Sequence, residues 1–232
     1  MCYRCCHAVK NRTGSIVLLE EVIIRRMQRR LLAWYAKHKR DLPWRRTSDP
    51  YHILVSEIML HQTQVDRVAP KFEQFIAKYP TVHHLAKAPL PELKKLWYPL
   101  GYNYRPARLR TIAREAIMKY NGRIPDRYDD LIVLDGVGRY TAGAVLSFAY
   151  HQDAPTLDTN VARVLSRVFG VRGDPATAPA QKRLWRLAEA VIPTGCASDF
   201  NQAMMDLGAM ICVARQPRCN VCPVRSVCRS VR

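Results

Sequence analysis

Apolar residues recur along this chain at helical spacing, and nowhere do they alternate as in a strand. Between Ile16 and Lys39, the residues Ile23, Met27, Leu31, Trp34 and Tyr35 fall on one side, which predicts an amphipathic helix that packs on that face. A loop from Arg40 to Arg45 leads through Asp49-Pro50-Tyr51 into a second helix, HILVSEIMLHQTQV, with Leu54, Ile58 and Val65 on its apolar side. Further helical segments are expected at about 70–79, 82–88, 90–97, 106–120 and 127–134, punctuated by Pro91, Pro106 and Asn121-Gly122. The pattern breaks at Gly136-Val137-Gly138 and restarts from Arg139 to Tyr150. Val161, Val164, Leu165 and Val168 mark the next amphipathic helix, and two more are expected over 182–191 and 199–211. The class is therefore all-α, with no internal repeat. Residues 1–15 carry no periodicity and are expected to form a disordered tail.

Composition narrows the function. The 232 residues with 48% hydrophobic content are enough to bury a core. The 37 Lys and Arg against 19 Asp and Glu leave a formal charge of +18, spread along the length, which favours a polyanionic partner such as nucleic acid. No apolar run reaches the roughly 18 residues of a membrane span. The N-terminus lacks the order of a signal peptide, so the expected location is the cytoplasm, associated with the nucleoid. Of eight cysteines, four sit near the C-terminus as Cys212, Cys219, Cys222 and Cys228, spaced C-x6-C-x2-C-x5-C. Four clustered thiolates suit zinc or an iron–sulfur cluster, and spacing alone does not choose. Cys2, Cys5, Cys6 and His7 lack a distant second ligand pair and are not expected to hold metal.

Three sites have chemical potential. Around Gly136, Val137, Gly138 and Arg139, a tight turn followed by a helix N-terminus can present a nest of backbone N–H groups to a phosphate. Asp158 follows Tyr140 by 18 residues and opens the next helix, where an N-cap is the bland reading. Glu57, flanked by Ile53, Leu54, Ile58 and Leu60, is either a satisfied core carboxylate or a group with a raised pKa able to donate a proton.

Read together, LDGVGRYTAGAV and LDTNVARVL resemble the helix-hairpin-helix (HhH-GPD) DNA glycosylases of base excision repair. LPWR (Leu42 to Arg45), DPY (Asp49 to Tyr51), SEIMLHQTQV (Ser56 to Val65), LGY (Leu100 to Tyr102), GVGRYTAGAVLS (Gly136 to Ser147) and FNQAMMDLGAMIC (Phe200 to Cys212) are most similar to the MutY-type adenine branch. The resemblance covers about residues 30–228. It implies a six-helix barrel over 50–152 and a second helical domain from 16–49 and 153–232, carrying a [4Fe-4S] cluster on the four cysteines. By the same resemblance Glu57 would protonate adenine and Asp158 would stabilise the developing sugar cation, supported by Tyr140 and Asn160. Trp44, Arg45 and Gln202 would line the pocket for the flipped base. Gln62 would fill the vacated space, while Thr63, Leu100 and Tyr102 would face the opposite base. Bifunctional relatives place a lysine at the position of Tyr140, and a phenol forms no Schiff base. The expected enzyme is thus a monomeric, monofunctional glycosylase acting on double-stranded DNA that contains a mismatch.

The chain departs from that pattern at Asp135, His61 and Thr159, where proline, glutamine and glycine are usual. It also stops at Arg232, without the further domain that typical adenine glycosylases use to recognise 8-oxoguanine. Three alternatives stay open: a thymine or uracil glycosylase for G:T and G:U mismatches, which also ends near the cluster, a non-catalytic DNA-binding module, and a zinc-binding regulator. Gln62, Gln64 and Gln202 favour adenine, and a docking module would need neither Glu57 nor Asp158.

Overall fold

The computed structural model describes residues 15–231, and no strand occurs among them. The expected tail and Cys2, Cys5, Cys6 and His7 lie outside the described residues. No described helix is long and apolar enough to cross a membrane. The chain divides into two compact units, one spanning Asp41–Tyr150 and the other joining the segment up to Arg40 with His151–Arg232.

The unit Asp41–Tyr150 contains α2 (Pro50–Leu60), α3 (Val65–Lys78), α4 (Val82–Lys87), α5 (Leu90–Trp97), α6 (Arg105–Lys119), α7 (Tyr128–Ile132) and α8 (Arg139–Phe148). Asp49 starts α2 by accepting from the N–H groups of Tyr51 (2.8 Å) and His52 (3.4 Å), with Pro50 in the first turn. The helix then stops at Leu60, short of the QTQV run that the apolar pattern had extended it through. Gln62 there has a left-handed φ of 54°, which no helix accommodates. Helix α3 begins before Pro70 and contains it, because the buried face Val68, Phe72 and Phe75 outweighs one missing hydrogen bond. Helix α2 packs against α3 and α8, and α6 against α4 and α5.

The second unit holds α1 (Ser15–His38), α9 (Thr159–Phe169), α10 (Ala178–Ala190) and α11 (Ala197–Met210), followed by three short 3-10 turns. Its core joins Met27 and Leu31 of α1 to Val164 and Leu165 of α9, Leu184 of α10 and Phe200 and Leu207 of α11. Where α9 crosses α11 the backbones come very close: a Cβ placed on Gly208 would lie 2.6 Å from Asn160 Cβ. Only glycine fits that crossing. Buried Asp206 of α11 binds Arg40 at 2.6 Å and secures the end of the segment that follows α1.

Candidate functional site

The glycine pair between α7 and α8 forms a tight turn, with Val137 N–H donating to Leu134 O at 3.0 Å and both side chains buried. The two glycines are not equivalent. Gly136 has φ 78°, whereas Gly138 is extended at φ −93° and caps α8 with open space where a Cβ would stand. Arg139 and half-buried Tyr140 form the first turn of α8, whose leading N–H groups have no acceptor within the helix. Asp135, the charge that would oppose a phosphate here, pairs with Arg108 at 3.4 Å, and that guanidinium also lies 4.7 Å over the Tyr104 ring. The neighbouring departure, His61, sits 3.2 Å from Thr141 Oγ1, and its pKa is lowered by burial and then by Arg105 and Arg108.

Glu57 lies within α2 at 3% exposure, with Ile53, Leu54 and Ile58 buried around it. Trp44, in the 3-10 turn before α2, is buried edge-on against Phe72 with ring centroids 5.7 Å apart, and Arg45 next to it is half-buried. Gln62 is exposed and Thr63 half-buried in the turn after α2; Leu100 is buried and Tyr102 is 48% exposed in the loop before α6. The sequence pattern offered no reason to single out what joins these two loops, Arg105. Its guanidinium reaches oxygens of both, from residues 42–47 positions away to residues 4 and 5 positions away.

In the other unit Asp158 is the N-cap of α9. Its Oδ1 accepts from Val161 N–H at 2.6 Å and its Oδ2 from Asn160 Nδ2 at 3.0 Å, so the carboxylate stands at the positive end of the helix. Asn160 Oδ1 accepts in turn from Arg163 (2.7 Å), which also donates to Gly208 O and Cys212 O at 2.8 Å each. Both ends of the Gln202 carboxamide are engaged: Oε1 accepts from Tyr35 OH at 3.0 Å and Nε2 donates to Ser198 Oγ at 3.3 Å. Arg163 and Tyr35 are the residues missed here. Only their side-chain reach, not any motif, connects them to Asp158 and Gln202.

Cys212, Cys219, Cys222 and Cys228 are free of disulfides and border one cavity of about 190 Å³, whose other walls include Val164, Val168, Leu207 and Val224. Among the described residues no three His, Cys, Asp or Glu side chains converge closely enough to hold a single metal ion. The Cys222 thiol is pushed up to about 11, chiefly by burial, with a backbone hydrogen bond from Val224 opposing the rise and the three neighbouring cysteines adding to it. Burial raises Cys228 as well. Arg167 lies 3.4 Å from Cys212 Sγ and donates to Val213 O (2.8 Å) and Ala214 O (3.0 Å). Such a donor set fits a cationic metal group, since crowded thiolates need cations to coexist.

Residues 55–190 match the model of the HhH-GPD superfamily of base excision DNA repair proteins. The adenine DNA glycosylase of Homo sapiens is 43% identical over 209 residues, which is 86% of this chain but 38% of that protein. The chain thus spans well under half the length of this curated relative. Among solved structures, a thermostable thymine-DNA glycosylase aligns over 94% of this chain and 99% of its own, at 34% identity and a TM-score of 0.83. An endonuclease III trapped in a covalent intermediate with DNA aligns over 92% of this chain and 96% of its own, at 26% identity and a TM-score of 0.77. With a family segment that covers more than half of its length and contains the buried Glu57 and the helix-capping Asp158, the chain belongs to the HhH-GPD superfamily.

Proposed function

We propose that this chain is a monofunctional DNA N-glycosylase that removes adenine mispaired with guanine or 8-oxoguanine from double-stranded DNA. The observation that carries this reading is the 43% identity to an adenine DNA glycosylase across 86% of the chain. That span includes Glu57, Asp158 and the tyrosine at 140.

Glu57 donates a proton to a ring nitrogen of the flipped adenine, so that the electron pair of the breaking C1′–N bond leaves on a neutral base. Positive charge builds on the sugar, and the Asp158 carboxylate, held by Val161 N–H and Asn160, stabilises it. Water adds to C1′ and loses a proton, leaving free adenine and an abasic site in an intact strand. Tyr140 offers a phenol and no amine, so no Schiff base forms and the backbone is not cut. The hairpin amides and Arg139 hold a phosphate of the damaged strand, and Gln62, Thr63, Leu100 and Tyr102 occupy the duplex beside it. Cys212, Cys219, Cys222 and Cys228 would hold a [4Fe-4S] cluster, whose four bonds would tie the 212–228 segment into one loop. The iron–sulfur reading is supported by membership of the HhH-GPD superfamily, whose cluster loop the cysteine segment resembles, and by four cysteines free of disulfides on one cavity of about 190 Å³. A monomer suffices for these roles.

The 34% identity to a thymine-DNA glycosylase over nearly the whole of both chains favours a second reading, excision of thymine or uracil opposite guanine. Single-turnover assays decide between them, on duplexes with A opposite 8-oxoguanine, A opposite G, T opposite G and U opposite G, each developed with and without alkali. Adenine release that becomes a strand break only after alkali is the expected result. Release of thymine or uracil alone would transfer the chain to the second reading, and breaks without alkali would overturn the monofunctional chemistry.

A further inference from the structure

Arg105 begins α6 and is 2% exposed. Its Nη1 donates to the carbonyls of Ile58 (3.0 Å), Met59 (2.9 Å) and His61 (2.7 Å), which closes the C-terminal end of α2 with a cation. Its Nη2 donates to Thr63 Oγ1 (3.1 Å) and to the carbonyls of Leu100 (2.9 Å) and Gly101 (3.1 Å). The rings of Trp97 and Tyr102 lie 5.2 and 5.1 Å from the guanidinium carbon. One planar fork therefore ties the turn 61–63 to the loop 100–102. Both are held in backbone conformations that open chain avoids, with φ of 54° at Gln62 and 48° at Tyr102.

We infer that Arg105 is a positioning residue that makes the Gln62–Thr63 turn and the Leu100–Tyr102 loop into one surface and thereby sets how strongly the base opposite the target is discriminated. This inference rests on the proposed roles of Thr63, Leu100 and Tyr102 toward that base. Lysine cannot substitute, because an ammonium is a point donor and cannot serve carbonyls of two loops in fixed directions. Charge would be kept while register between the loops is lost.

The test compares the whole protein with its Arg105→Lys variant in two ways. Amide hydrogen exchange of residues 61–64 and 100–104 should accelerate about tenfold or more while α4 and α8 are unaffected. The ratio of single-turnover adenine excision opposite 8-oxoguanine to that opposite guanine, normalised to active fraction, should fall about tenfold, and that fall should vanish in a Tyr102→Ala background. A purely structural arginine would lower the melting temperature and the active fraction but leave the ratio unchanged, and that result overturns the inference. The exchange measurement needs no reaction. If the wild type releases no adenine, the function proposed above fails separately, and the same ratio is then read from equilibrium binding to the two duplexes. Unaltered loop exchange overturns the inference in either case. Should Arg105→Lys fail to fold, Trp97→Phe removes the Nε1–H bond to Gly101 O (3.0 Å) with the charge in place. It is expected to lower the ratio in the same direction, and an unchanged ratio overturns the inference.

Discussion

On the proposed function Asp158 has two roles on one carboxylate, and the cap reading and the catalytic reading do not compete, because the cap observed at α9 would also aim the charge. Asparagine caps a helix as well as aspartate does. Asp158→Asn should therefore change stability by less than about 1 kcal/mol while slowing base excision at least about a thousandfold, with duplex affinity kept. Thermal unfolding, single-turnover kinetics and equilibrium binding check the three parts, and an active Asn variant would reduce Asp158 to a cap. Glu57→Gln is expected to behave alike in kinetics, since the amide keeps the shape of the buried side chain but has no acidic proton to give. His61 supplies a pH prediction. Its pKa in the folded protein lies below the ordinary value of 6.5, chiefly through burial, so below that pH the unfolded chain binds a proton that the folded chain resists. Stability should accordingly fall as pH drops below about 6.5, and His61→Gln should flatten that acid-side slope in chemical denaturation measured from pH 7 to 5.

Two glycines show what an element demands beyond its sequence pattern. The GVG turn was legible as a turn, but its two glycines look alike in sequence and differ in the fold. Gly136 alone has a left-handed φ, and a Cβ there would also meet Arg108 Cδ at 3.0 Å. Gly136→Ala should cost about 1–2 kcal/mol, and Gly138→Ala should fall within about 0.5 kcal/mol of the wild type, both read from urea midpoints at constant m. Gly208 lies inside α11, where periodicity treats it as a weak helix residue. Its reason is the crossing with α9 at Asn160. Gly208→Ala should cost about 1–3 kcal/mol by overpacking, and it should slow excision as well, because the displaced residue is the one that donates to Asp158 Oδ2.

For the whole molecule, under the proposed function, the charge of +18 is expected to govern encounter with DNA more than recognition. The logarithm of the binding constant should fall linearly with the logarithm of salt concentration. Arg139→Ala should reduce that slope by about one unit at every duplex sequence, as loss of a phosphate contact would; a selective loss on one mismatch would instead make Arg139 a base reader. The wall formed by the cysteine segment belongs to the core of its unit, with Val224, Val227 and Cys228 buried in it. Cys219→Ser is expected to diminish the visible absorbance of an iron–sulfur preparation and to lower the melting temperature together, since the 212–228 segment has little regular structure of its own.

The all-α class, the hairpin, the opening of α9 at Asp158 and the spacing of the four cysteines are written locally. Helical periodicity, a glycine pair, a capping residue and a thiol cluster each express their physics within a few neighbours in the chain. Helix ends and side-chain partnerships were not accessible in this way. Helix α2 ends before Gln62, where Arg105, more than forty positions later, takes up the carbonyls at its C-terminal end. The Gln202 amide is oriented by Tyr35, 167 positions earlier, and Cys212 is joined to Asn160 through Arg163. Those bonds depend on which surfaces pack together. A hydrogen bond ending a helix or turning a carboxamide has no periodicity to announce it, so only the tertiary structure decided them.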